Sequence, residues 1–195
     1  MEKFKHFEFE VLSKSRKKVK GGDVFVMKLK SYDVYFYGKV IADDIKYCGN
    51  YANMVVLYKT PTQGLIIPDN MDINDIFIPF ICGSSCWQSG YFKTVCNIPV
   101  SYDESNMDCG FFGGGYGKLI TSADVESYRE KNYVIECSGG KTWAIPYVDC
   151  YGNVLDHKPS ILCPHDGLML ISGFESEISK HLCKNPDVKQ KYEIL

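Results

Sequence analysis

The sequence predicts an α+β protein, mainly β, with a curved or barrel-like antiparallel sheet and a C-terminal helix. Period-two alternation of apolar and polar residues recurs in about nine short runs, the mark of half-buried strands. One long segment, 174–184, keeps helical spacing instead, with Phe174, Ile178 and Leu182 at i, i+4 and i+8. The 195 residues are 45% apolar and 14% aromatic, enough to fill a core, and this excludes a disordered chain.

In chain order, Phe7-Glu8-Phe9-Glu10-Val11 is the first alternating run, and its charged face predicts an edge or surface strand. Strands follow over 24–29, 34–42, 54–58, 76–81, 91–98, 133–137, 142–147 and 168–171. Thr121-Ser122-Ala123-Asp124 supplies a helix start, and 125–131 gives two turns that Asn132 ends. In the 174–184 helix, Glu175 and Glu177 occupy the first turn while Lys180, His181 and Lys184 lie toward the last, as the helix dipole favours. Asn185-Pro186 stops it, and 185–195 reads as a loose tail. Between the strand-rich parts, 101–117 contains Gly110, Gly113, Gly114, Gly115 and Gly117 and reads as a long loop. No composition break divides the chain, which predicts one domain over 1–195, with 1–20 an N-terminal strand and basic linker.

The formal charge is −2, too little positive surplus for a dedicated nucleic-acid binder. Seven bases against three acids fall in the first twenty residues, which read as a solvated strand and linker. No run approaches the roughly 18 unbroken apolar residues of a membrane helix. The N-terminus alternates charge with Phe and has no apolar stretch of the secretory kind, so the expectation is a cytoplasmic protein. Its nine cysteines are then expected to be reduced and to behave as small hydrophobes. Cys82, Cys86, Cys163 and His165 offer one acceptable ligand pair and one cramped one, so no metal and no other cofactor is expected.

Cys82-Gly83-Ser84-Ser85-Cys86-Trp87 nearly spells the run around the nucleophile of papain-like proteases, with one Ser too many. The segment after Cys86 reads as a Gly turn into a strand, not the helix whose dipole would activate the thiol. His157 and His165 also follow too soon to be the usual base. Phe111 to Lys118 misses the phosphate-loop spacing, and no other catalytic pattern is present. The expectation is a protein that is not an enzyme and has no catalytic residues. Two alternatives stand beside it: a cysteine-dependent hydrolase using Cys86, and a small-barrel module binding peptide or nucleic acid.

Lys20-Gly21-Gly22-Asp23-Val24-Phe25-Val26-Met27-Lys28-Leu29 is followed by Tyr35-Phe36-Tyr37-Gly38-Lys39-Val40-Ile41, by the strand 54–58, and by Ser89-Gly90-Tyr91-Phe92-Lys93-Thr94-Val95 leading into Ile98-Pro99. In this order and spacing the chain resembles the Immunity protein 26 family of bacterial polymorphic toxin systems, from Gly21 to about Leu182. The resemblance implies a cytoplasmic antitoxin-like protein whose partner is a cognate toxin, neutralised by binding. It brings no contact residues with it, and 101–117 and the cysteine-rich parts have no counterpart in the family.

If a toxin is the partner, its contacts are expected on loops held by a rigid scaffold. Two loops pair aromatics with glycines, 83–91 and 109–116. Trp87 and Tyr91 in the first, and Phe111, Phe112 and Tyr116 in the second, are the candidate toxin-binding residues, beside the alternative that Trp87 and the Phe pair fold back to cap the barrel.

Overall fold

The computed structural model describes residues 6–47, 50–163 and 168–194. Its main element is a six-stranded antiparallel sheet built from β1 (Asp23–Lys28), β2 (Val34–Tyr47), β3 (Asn50–Tyr58), β4 (Thr62–Gln63), β5 (Ile76–Cys82) and β6 (Lys93–Asn97). The order is β5-β3-β2-β1-β6, with β4 beside one end of β2. Strands β1, β2, β3, β5 and β6 answer the expected alternation. The sheets are open and do not close into a barrel. Irregular register in β2–β3, β3–β5 and β1–β6 adds the local twist that curves the large one.

Gly38 shows why the aromatic-Gly-basic step needs its glycine. It stands opposite Phe25, and a Cβ there would lie 2.3 Å from the Phe25 ring. With no side chain at Gly38, the ring lies flat across β2 and stacks on Phe92 at 4.4 Å.

Alternation gives the large sheet two buried faces. Phe25, Met27, Phe36, Val55, Leu57 and Phe80 point to one, and Val24, Val26, Tyr37, Val56 and Tyr58 to the other. The first is covered by α4 (Ile171–Lys184), whose Phe174 packs on Phe80 and Phe92 at 4.5 and 4.9 Å, with Ile178 and Leu182 also buried. The N-terminal segment closes the same side. Phe7 donates its backbone N–H to Ser179 Oγ and Phe9 to Glu175 Oε1, each at 2.8 Å. This replaces the expected 7–11 strand, which keeps only a bridge between Phe9 and Leu29.

Between β5 and β6, α1 (Ser85–Gln88) is an unexpected one-turn helix, and the expected Gly turn follows it at Gly90, φ +93, and leads into β6. Cys86 and Trp87 of α1 are core side chains, and their burial stabilises a turn too short to signal itself in sequence. The expected loop 101–117 is likewise structured. It contains α2 (Tyr102–Ser105) and β7 (Cys109–Phe112), because partners distant in sequence pair with it. β7 lies between β11 (Tyr147–Val148), antiparallel, and β12 (Ile161–Cys163), parallel. A third sheet joins β8 (Lys118–Ile120), β10 (Lys141–Ile145) and β9 (Val134–Ser138), with α3 (Val125–Glu130) beside it.

The expected strand at 168–171 is reduced to one bridge, Cys82 to Met169, since Ile171 already begins α4. Nor is 185–194 a loose tail. Pro186 sits at the start of α5 (Pro186–Lys191), where its missing N–H costs nothing, and Ile194 is buried in the core. No helix among the described residues is long and apolar enough to cross a membrane.

Candidate functional site

The most polar point of the interior lies on the second face of the large sheet. Lys39 of β2 and Glu104 of α2 are 1% and 4% exposed. The ammonium meets both carboxylate oxygens at 2.8 and 2.7 Å and donates to the Pro99 carbonyl at 3.1 Å. Ser101 completes the arrangement as a capping box: Glu104 N–H donates to Ser101 Oγ, and Ser101 N–H donates to Glu104 Oε2. Burial pushes the Glu104 carboxyl upward, but the hydrogen bonds from Lys39 and Ser101 prevail and hold it below its ordinary range. The Tyr58 hydroxyl, buried 3.4 Å from the same carboxylate, is pushed up by desolvation and by that negative charge. Every charge here has its counter-charge, so the cluster fixes α2 on the sheet and leaves no group free for proton transfer.

The five aromatics expected to meet a partner are not brought together on one surface. Trp87 is 2% exposed, edge-on to Phe25 and Phe92, and its indole N–H donates to Thr94 Oγ1 at 3.1 Å. Phe111 is 1% exposed in β7. Both are core side chains, and a partner could touch them only by opening that core. Tyr91 and Phe112 are half-buried, Phe112 tilted on Tyr147 at 5.6 Å. Tyr116, 39% exposed, lies against Gly152, where an added Cβ would meet its hydroxyl at 2.2 Å.

Six of the eight described thiols are buried or partly buried, while Cys137 and Cys183 are exposed. Cys82, Cys86 and Cys163 are buried, and the hydrogen bond with Cys86 and burial push the Cys82 thiol well up. Burial also pushes Cys109 and Cys150 up to about 12 and about 11. Cys86, which the hydrolase alternative needs as a nucleophile, is sealed from solvent in a one-turn helix. Cys48 and His165 lie outside the described residues. His157 stands between Asp156 and Asp108 at 2.9 and 2.8 Å, and both carboxylates draw its pKa upward. The pair anchors one surface loop to another.

What sequence reasoning passed over is the surface beside the Lys39–Glu104 cluster. A pocket of about 360 Å³ opens there, lined by Tyr37, Tyr58, Ile66, Met71, Asp72 and Asp75 among others. Ile66 of its lining is 54% exposed, and its chain neighbours Leu65 and Ile67 are 41% and 61% exposed. The available signal was an aliphatic triplet between Gly64 and Pro68, too short for a strand and bounded by turn residues.

A family model for Immunity protein 26 matches residues 20–119, just over half of the chain. No curated protein and no solved structure matches it. The matched residues contain all six strands of the large sheet, the close approach at Gly38 and the Lys39–Glu104 pair, so the match falls on the two-faced sheet; the chain belongs to the Immunity protein 26 family.

Proposed function

We propose that this protein neutralises a cognate bacterial toxin in the cytoplasm by binding it, with no chemistry of its own. The observation that carries this reading is membership of an immunity family over the whole large sheet. The physical character of the chain supports it. A sheet buried on both faces and closed by α4 is a rigid scaffold, and rigid scaffolds lose little conformational freedom on binding. Tyr116 is the expected contact that offers most surface, with Tyr91 and Phe112 contributing the parts they leave open.

The test is co-expression with a toxin domain identified among the reading frames that adjoin this gene. Growth rescue together with a complex that co-elutes in size exclusion is the expected result. If the toxin kills equally with and without this chain, and no complex forms, the reading is overturned.

A further inference from the structure

The triplet at residues 65–67 is exposed for a structural reason. Burying a large aliphatic side chain is favourable, so such a run ordinarily turns inward. Here its backbone is pinned. The Tyr37 hydroxyl, rooted in the sheet, donates to the Ile66 carbonyl at 2.6 Å and accepts the Ile66 N–H at 3.1 Å. Thr62 Oγ1 donates to the Gly64 carbonyl at 2.9 Å, and Gly64, at φ +76, donates its N–H to the Asp33 carbonyl at 2.8 Å. The protein interior holds the loop so that three adjacent aliphatics face water, the form of a preorganised binding surface.

The charges beside it select the partner. Asp69, Asp72 and Asp75 follow in the same segment, and none is ion-paired among the described residues. Asp75 accepts from the Thr60 N–H and hydroxyl and Asp72 from the Asn74 backbone and side-chain N–H groups, but these neutral donors bring no counter-charge, so an approaching neutral surface would desolvate the charges at a cost that Lys or Arg would offset by pairing with them. A second copy of this chain docking face to face would crowd two sets of carboxylates into one interface.

Resting on the toxin-binding reading, we propose that residues 65–67 and the adjoining pocket are the docking face for a toxin segment that presents an apolar side chain beside Lys or Arg. The aliphatic triplet covers the apolar part. The pocket takes the stem of the basic residue along Tyr37, Tyr58 and Met71, and its charge meets Asp72 and Asp75.

Two substitutions avoid the buried hydrogen bonds that hold the loop: Ile67→Asp and Asp69→Lys. Each is titrated by calorimetry, in the full chain, against a catalytically inactive form of that toxin domain, with Tyr116→Ala as comparator. Both loop variants are expected to weaken binding by about 30-fold or more while the melting temperature stays within about 2 °C of the wild type. Added salt is expected to weaken the wild-type complex more than the Asp69→Lys complex. If the wild type binds and both loop variants bind within about twofold of it, or if only Tyr116→Ala loses affinity, the docking face is elsewhere and this inference falls while the toxin-binding reading stands. If the wild type itself neither binds nor protects, both fall together.

Discussion

Lys39 and Glu104 show how much one residue's environment decides. Replacing Glu104 with Gln keeps the shape but leaves the Lys39 ammonium buried without its counter-charge, at a cost of about 3–5 kcal/mol, read from urea denaturation. The pH dependence has a definite sign. Because the folded carboxyl is held below its ordinary 4.5, its contribution is present above that value and lost as pH falls through the folded pKa. The wild-type midpoint is therefore expected to fall more steeply below pH 4.5 than that of Glu104→Gln. Trp87 gives a second residue-scale prediction. Its burial and its ring contacts with Phe25 and Phe92 mean that Trp87→Ala costs about 3–5 kcal/mol in stability by thermal or chemical denaturation.

Among the elements, α4 has the largest share in holding the molecule shut. Its apolar stripe covers the first face of the large sheet, and its polar Ser179 and Glu175 accept the backbone N–H groups of Phe7 and Phe9. Those two acceptors tie the N-terminal segment to an element some 170 residues away. Leu182 is fully buried, and Leu182→Ala is expected to cost about 2–5 kcal/mol. Measured by urea unfolding, a change under about 0.5 kcal/mol would place the helix off the core.

Across the whole molecule, stability is unevenly distributed. Apolar side chains from residue 7 to residue 194 enter the core on the first face of the large sheet. By contrast β8, β9, β10 and α3 place no side chain in either core cluster. Segments with little apolar burial open at lower free energy. Amide hydrogens of 134–138 and 141–145 are therefore expected to exchange faster than those of β1 to β3 when followed by mass spectrometry. Charge is uneven as well. Lys14, Lys17, Lys18, Lys20 and Lys93 line a cavity of about 450 Å³ beside Trp87, while Asp69, Asp72 and Asp75 lie in the segment of the 65–67 loop. A partner therefore meets a basic patch and an acidic one on the same chain.

The strands of the large sheet were legible because their cause is local. In 24–29 and 76–81, apolar residues fill both sides of the pleat or alternate with it, and β1 and β5 form there. The stripe Phe174, Ile178 and Leu182 likewise declares a helix face, and the structure buries all three. The capping box of α2 was written in Ser101-Tyr102-Asp103-Glu104, but the glycines after it hid the signal, and β7 exists only because 147–148 and 161–163 return to pair with it. Trp87 and Phe111, expected at a partner surface, lie inside because α1 sets Trp87 against Phe25 and Phe92 and β7 carries Phe111 into the core on the first face of the large sheet. Residues 65–67, which composition alone would bury, face water because the Tyr37 hydroxyl holds the Ile66 backbone. The period of side chains along an element is fixed by backbone geometry and can be read one residue at a time. Which apolar group is covered and which is left to a partner depends on hydrogen bonds and contacts between segments far apart in sequence, and only the tertiary structure supplies them.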